Sequence, residues 1–125
     1  MKIKTTELQR EALDRMVAHC VGIEIVSVKH GRATFIDPAD DGALNEMPIN
    51  YSTDWAQGGP IIEREKIILD IWGDEWLATR IEDPAISEAI GPTPLIAAMR
   101  CYVASKLGDE VEVPDESSVD SDKVA

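Results

Sequence analysis

The chain has 125 residues, of which 44% are hydrophobic and 29% are charged, and its net charge is −12. These values predict one soluble globular domain, over residues 1–114, that needs neither a disulfide nor a metal ion to be stable. They argue against a nucleic-acid-binding protein, because affinity for phosphate backbones depends on clustered lysine and arginine. Half of the net charge follows Gly108, where seven acidic residues accompany one lysine.

The cellular setting is indicated by what the sequence lacks. It contains no apolar run of about 18 residues and no signal-peptide pattern, so we expect a cytoplasmic protein away from membranes. Cys20 and Cys101 each lie among apolar residues of a predicted helix. Reduced, buried thiols are expected in that compartment, with a disulfide between the two helices as the alternative.

The first predicted element is a helix over residues 6–21. Thr6 and Gln9 have the spacing of a capping box, apolar residues then recur at helical spacing, and Gly22 follows as a C-terminal cap. His19 within this helix has no second ligand pair in the sequence. It therefore does not predict a metal site.

Two short apolar runs, 23–28 and 33–36, predict a first β-hairpin. The acidic, turn-rich stretch 37–50 that follows predicts an exposed loop. Part of it matches an EF-hand calcium loop, but the third position is Ala39 and the twelfth is Pro48. The essential glutamate is thus missing, and we expect no calcium site.

Residues 51–65, YSTDWAQGGPIIERE, form what we call the central segment. Ser52, Thr53 or Asp54 can cap a helix that begins near Trp55. Gly58, Gly59 and Pro60, however, all disfavour a helix interior. The sequence therefore predicts an interrupted helix. It is either kinked or divided into a short turn and a second helical turn that ends near Arg64.

A second hairpin is predicted from the runs 66–72 and 75–81, which are rich in β-branched and aromatic residues and are separated by a glycine turn. Asp83 followed by Pro84 then predicts a helix start, because Asp is a common N-cap and Pro is favoured at the first helical position. A helix of one or two turns is accordingly predicted over residues 85–90.

The last predicted helix spans 94–107, between a capping Thr93 and the terminating Gly108. A short edge strand at 111–113 is the most structure expected beyond it, and the acidic tail 115–125 is predicted to be disordered. Together these elements predict an α+β domain. Its mostly antiparallel sheet has about four strands in two hairpins, flanked by the N-terminal and C-terminal helices.

Three strings in the chain, TTELQREALDRMVAHCVG, YSTDWAQGGPIIEREKI and GPTPLIAAMRCYVASKLGDEVEVP, resemble the NinX-like family of small phage and prophage proteins. More distantly, ALDxxVA, YSTD and PLIAAMRCYVASKLG resemble small phage domains described as α/β/α sandwiches. The resemblance implies a phage or prophage origin, hence the host-cell cytoplasm, and a sheet flanked by helices. It supplies no activity. The chain departs from the sandwich domains at Gly58-Gly59-Pro60, where their helix runs uninterrupted.

The central segment has two interpretations. In the structural one, Ser52, Thr53 and Asp54 satisfy free amides at a helix start, while Trp55 and Ile62 are buried in the core. In the functional one, the glycines allow close approach and the surrounding side chains form a recognition surface. The candidate binding residues are Tyr51, Ser52, Thr53, Asp54, Trp55, Gly58, Gly59, Pro60, Glu63 and Arg64.

The same segment does not predict an enzyme. Asp54 with Glu63 or Glu65 has the composition of an acid–base pair, but a domain with short loops leaves little room for a catalytic cleft. Ser52 lacks the glycines of a nucleophile elbow. We therefore expect no catalytic residue, no cofactor and no metal ion.

The expected function is binding of a host or phage protein through the central segment. One alternative is a homo-oligomer with Trp55, Pro60 and Ile61 across a two-fold axis. A second is an acidic DNA mimic that inhibits a basic DNA-binding protein, which rests on net charge alone. Direct binding to nucleic acid is not expected.

Overall fold

The computed structural model describes residues 2–23, 25, 27–29, 32–38 and 44–112. Its helices are α1 (Arg10–Val21), α2 (Trp55–Glu65) and α3 (Pro94–Leu107), and a 3-10 turn at Thr5–Glu7 precedes α1. Its strands are β1 (Lys2–Lys4), β2 (Ser27–Lys29), β3 (Arg32–Pro38), β4 (Leu44–Pro48), β5 (Ile68–Trp72), β6 (Glu75–Glu82), β7 (Ala85–Gly91) and β8 (Glu110–Glu112).

These strands form three antiparallel sheets, with strand orders β1-β8, β2-β3-β4 and β5-β6-β7. The predicted α+β class is confirmed. Both predicted hairpins are present, as β2-β3 and β5-β6, and each gains a third strand. In the first sheet, β4 occupies part of the stretch 37–50 that was expected to be a loop.

The third strand of the β5–β7 sheet corrects a sequence prediction. Residues 85–90 form β7, which pairs along its whole length with β6, and not a helix. Alternation places Ser87, Ala89 and Gly91 on the side that faces α3. At Gly91 no side chain fits, since a Cβ there would stand 2.7 Å from the Ala97 nitrogen. Packing by these distant partners outweighs the local helix-start signal.

Helix α3 is the centre of the fold. One side of it packs on β6 and β7, and the other side packs on α1 and α2. Its limits agree with the prediction, because the Thr93 hydroxyl accepts the Ile96 N–H at 3.1 Å and Gly108 ends the helix at φ 93°. Seven of its residues are buried: Leu95, Ala97, Ala98, Met99, Cys101, Tyr102 and Val103.

The N-terminal helix begins four residues later than predicted, at Arg10. Thr5 is fully buried, its N–H donates to the Asp109 carbonyl at 2.7 Å, and its hydroxyl donates to the Gly108 carbonyl. The Arg100 guanidinium further binds the Leu8 carbonyl at 2.7 Å. These long-range bonds hold the segment against the end of α3, so the expected capping box does not form.

Some predictions fall outside the described residues, among them the first hairpin turn, residues 39–43 of the calcium-like loop and the tail 115–125. The short strand predicted at 111–113 is present as β8, at 110–112. Within the described ranges, no helix is long and apolar enough to cross a bilayer. The same ranges contain no cluster of three or more potential metal-ligating side chains.

Candidate binding surface around the second helix

The central segment begins with a tightly hydrogen-bonded turn. The Asp54 carboxylate accepts the Ala56 N–H at 2.9 Å and caps α2, as the structural interpretation expected. Gln57 closes the turn, since its Oε1 accepts the Asn50 N–H at 2.7 Å and its Nε2 donates to the Pro48 carbonyl at 2.9 Å. Hydrogen bonds within the chain therefore fix the position of the start of α2.

Ser52 joins this turn to α1. Its backbone N–H donates to the buried Asp14 carboxylate at 2.8 Å. Its hydroxyl does not cap α2, and among the described residues it has no hydrogen-bond partner. The capping role expected of Ser52 and Thr53 is therefore absent, whereas Asp14, which the sequence did not single out, connects α1 to the central segment.

Helix α2 runs without interruption from Trp55 to Glu65, through Gly58, Gly59 and Pro60. Of the two predicted alternatives, the division into a short turn and a second helical turn is therefore wrong. A Cβ on Gly58 would stand 2.4 Å from the Tyr51 carbonyl oxygen and 2.6 Å from Leu95 Cδ1, so the missing side chain is what lets α2 approach α3. Tertiary packing here outweighs the low helix propensity of glycine and proline.

The ten candidate residues divide into a buried group and a group at the surface. Tyr51, Ser52 and Gly58 are buried, so they do not line a surface. Trp55 is 53% exposed, contrary to the expectation that it would join the core. That place is taken by Ile61, which is 2% exposed. Asp54 and Gly59 are partly exposed, and the exposed candidates are Thr53, Trp55, Pro60, Glu63 and Arg64.

The indole of Trp55 lies along the helix over the next turn. A Cβ on Gly59 would be 3.7 Å from Trp55 Cε3, which is ordinary van der Waals distance. These residues are four apart, and such positions are neighbours on a helix surface. Trp55, Gly59 and Glu63 therefore follow one another along the solvent side of α2.

The C-terminal end of α2 carries a network of ion pairs around Glu65, whose side chain is 12% exposed. The carboxylate contacts Arg64 Nε at 2.9 Å, Arg80 Nη2 at 2.8 Å and Lys106 Nζ at 3.9 Å. Burial alone would raise the pKa of Glu65, but the hydrogen bonds and charges of these cations outweigh it and lower the pKa. Three cations thus meet at one carboxylate on an otherwise acidic protein.

Sequence reasoning missed Arg80 and Lys106, which approach from β6 and α3. One signal was available for Arg80. It shares the face of β6 that carries the buried Ala78, and a charged residue on a buried strand face needs a partner. Lys106 also lies 6.0 Å from the centre of the Tyr102 ring, and Arg64 Nη2 donates to the Tyr102 hydroxyl at 3.5 Å.

The carboxylates considered as an acid–base pair have different surroundings. Asp54 caps α2 and Glu65 is surrounded by cations, whereas Glu63 is exposed. Burial raises the pKa of the thiols of Cys20 and Cys101 to about 11, which keeps both protonated near neutral pH. Both cysteines are free thiols, so the alternative of a disulfide between α1 and α3 is not formed.

Comparison with known proteins gives one family. The family model described as "Bacteriophage P22, NinX" matches residues 4–106, which include α1, the whole central segment and all but the last residue of α3. No curated protein matches the chain. The match agrees with the resemblance carried by the three sequence strings.

Proposed function

Since the chain belongs to the bacteriophage P22 NinX family, we propose that it is a phage accessory protein that acts without catalysis, by binding a host or phage protein. The binding surface is the solvent side of α2, which we call the α2 face: Thr53, Trp55, Gly59, Pro60, Glu63 and Arg64. The buried candidates Tyr51, Ser52 and Gly58 support this face from within.

The observation that carries the proposal is the exposure of Trp55 at 53% on a helix that is otherwise held firmly in place. A tryptophan costs free energy when it stays in water, and tryptophan and arginine are enriched among residues that dominate binding energy at protein interfaces. Arg64, with 52% of its side chain exposed, lies on the same helix. The α2 face therefore offers both residue types together.

Rigidity of the α2 face also supports binding. The Asp54 cap, the Gly58 contact with α3 and the Arg64–Tyr102 hydrogen bond all restrain α2. A surface that is already ordered loses little conformational entropy when a partner docks. Binding by such a surface needs no catalytic group. This agrees with the contacts of Asp54, which caps α2, and of Glu65, which pairs with Arg64 and Arg80.

A homo-oligomer is the second candidate, because an exposed tryptophan serves a two-fold interface equally well. Of the three residues expected at the two-fold interface, Ile61 lies in the core. Trp55 and Pro60 are accessible to a second copy of the chain. Light scattering at high micromolar concentration separates the two functions. A monomer excludes the oligomer, and a dimer that dissociates on Trp55→Ser replaces the first proposal.

The experiment that tests the proposal is affinity capture from host lysate, with and without phage infection, using tagged full-length protein. The matched variants are Trp55→Ser and Trp72→Ser, because the two side chains have similar exposure, 53% and 57%, on different elements. A specific protein retained by the native chain and by Trp72→Ser, but lost with Trp55→Ser, is the expected result. Equal retention by all three forms would show that the α2 face is not the binding surface.

A further inference from the structure

The β5–β7 sheet has a second side that nothing described in the structure covers. Strand pairing aligns Leu69, Ala78 and Ala89 across the sheet on the side that packs against α3. Side chains alternate along a strand, so the neighbours of these residues face the other way. We call this other side the open face: Ile68, Asp70, Trp72, Glu75, Leu77, Thr79, Ile81, Ile86, Glu88 and Ile90.

The open face is apolar to a degree that is unusual for a solvated sheet side. Ile68 is 51% exposed, Trp72 57%, Ile81 58% and Ile86 63%. Ile81 and Ile86 are direct cross-strand partners at one end of the sheet, and Trp72 lies at the other end. Antiparallel sheets usually place polar residues on the side that faces water, and contiguous apolar patches mark interaction sites.

The size of the open face suits a helix. From Glu75 to Ile81 the sheet extends roughly 20 Å, at about 3.3 Å per strand residue. A helix of about 13 residues has the same length, at 1.5 Å per residue. The apolar residues at the two ends of the sheet can therefore contact the two ends of one helix of this length.

Charge decides which helix fits. The open face carries three carboxylates, those of Asp70, Glu75 and Glu88, and no lysine or arginine among its ten residues. At the end near Trp72 lies a pocket of about 570 Å³ whose lining includes the indole of Trp72 and both glutamates. An aromatic ring beside carboxylates is the environment that binds a lysine or arginine side chain.

Arg100 is the cation that lines this pocket, and its guanidinium donates hydrogen bonds to backbone carbonyls. The Arg100 guanidinium donates to the Leu8 carbonyl at 2.7 Å and to the Ile90 carbonyl at 2.8 Å. Its charge also acts on Glu75, but among the described residues it forms no ion pair with Glu75 or Glu88, and both glutamates are exposed to an incoming positive charge.

Two other occupants fit the charges poorly. A second copy of the chain would place the same patch on both sides of a two-fold interface, where the three carboxylates would meet no cation on the facing sheet. The segment 113–125 of the same chain holds four acidic residues and one lysine, so it adds repulsion. Like charges brought together at an interface disfavour binding.

We propose that the open face binds an amphipathic helix of another protein, with apolar residues on one side and lysine or arginine beside them. The apolar side packs on Ile81, Ile86 and Trp72, and the basic side chains pair with the carboxylates of the open face. This interaction is separate from the α2 face, since Arg80, through which Glu65 of α2 reaches the sheet, lies on the side opposite the open face.

The test is an NMR titration of the isotope-labelled full chain with a synthetic helical peptide of leucine and lysine, about 14 residues long. Two control peptides have the same length, one with glutamate in place of lysine and one with leucine and lysine in scrambled order. The expected result is saturable shifts at Ile68–Trp72, Glu75–Glu82 and Ala85–Gly91 with the first peptide only. Binding of the glutamate or scrambled peptide with equal affinity would overturn the proposal.

Variants make the assignment specific. Ile81→Ser with Ile86→Ser removes exposed apolar contacts and is expected to weaken binding about tenfold or more, whereas Trp55→Ser is expected to leave it unchanged. Glu75→Gln with Glu88→Gln is expected to weaken binding and reduce its salt dependence. Shifts centred on α2, or a peptide-free dimer that Ile86→Glu dissociates, would show that the occupant or the surface is a different one.

Discussion

Gly58 of α2 lies against Leu95 of α3 so closely that a Cβ at position 58 would stand 2.6 Å from Leu95 Cδ1. The next residue, Gly59, has only the Trp55 ring nearby, at 3.7 Å from its own missing Cβ. Two adjacent glycines in one helix thus have opposite structural roles, and alanine substitution separates them.

Gly58→Ala is expected to lower the free energy of unfolding by about 1–3 kcal/mol, because overpacking forces the two helices apart. Gly59→Ala is expected to raise it by up to about 1 kcal/mol, the difference in helix propensity. Urea unfolding of both variants measures the two effects. Equal changes of the same sign would contradict the close approach of α2 to α3 at Gly58.

Glu65→Gln is expected to reduce stability near neutral pH by about 1.5–3 kcal/mol, the range for hydrogen bonds to charged groups, because it removes the charge that Arg64 and Arg80 bind. Glu63→Gln is the control, since it removes the same charge from the same helix at an exposed position without a cation network. Denaturant unfolding of both variants beside the native chain isolates the network from the general effect of net charge. Equal losses in the two variants would mean that the network adds nothing.

The contribution of Glu65 is also expected to depend on pH. Its folded-state pKa lies below the ordinary value of 4.5, so its stabilisation is fully present above that value and is lost as the pH falls through the folded-state pKa. The stability difference between the native chain and Glu65→Gln should therefore be constant near neutral pH and shrink in acid. A difference that grows on acidification would contradict this sign.

The thiols are expected to react slowly with iodoacetamide at mildly alkaline pH. A pKa near 11 instead of the ordinary 9.0 lowers the thiolate fraction about 100-fold. Cys20 is partly exposed and Cys101 is fully buried, so Cys20 should be modified first. Mass spectrometry of timed samples gives both rates, with urea-unfolded protein as the reference. Faster labelling of Cys101 would place it in a different environment.

Truncation is expected to distinguish the tail from β8. Deleting residues 115–125 should change the melting temperature by no more than about 3 °C, since it leaves the β1–β8 pairing intact. Ending the chain after Gly108 also removes Val111, which is 6% exposed, and the Asp109 carbonyl that binds Thr5. The loss of Val111 burial alone is about 1.5–3 kcal/mol, or roughly 5–10 °C. Calorimetry of both truncations provides the comparison.

The elements that the sequence predicted correctly are those defined by neighbouring residues. Helix α3 has its N-cap, its apolar run and its terminating glycine within one stretch, and the β5–β6 hairpin has its turn between two β-rich runs. The Asp54 cap belongs to the same class, because a capping side chain contacts amides only two or three residues away. The sequence pattern was sufficient to predict these elements because each is stabilised by residues close to one another in the chain.

The predictions that failed concern residues whose partners are distant in sequence. The helix-like start at Asp83 and Pro84 was overridden by pairing of the next strand with β6, and the Thr6 capping box by bonds to the far end of α3. The composition of the central segment did not show that Gly58 serves close packing, or that Glu65 would meet Arg80. Such contacts depend on how helices and sheet come together, which periodicity does not encode.

The pairing of β1 with β8 joins positions about 110 residues apart, Lys2 opposite Glu112, through a ribbon of three residues per strand. A two-stranded ribbon is marginally stable by itself, and closing so long a loop costs entropy that no local contact offsets. Its amides should therefore exchange with solvent well before those of α3, through local opening that leaves the centre of the fold intact. The first and last described strands then separate together, as one cooperative unit.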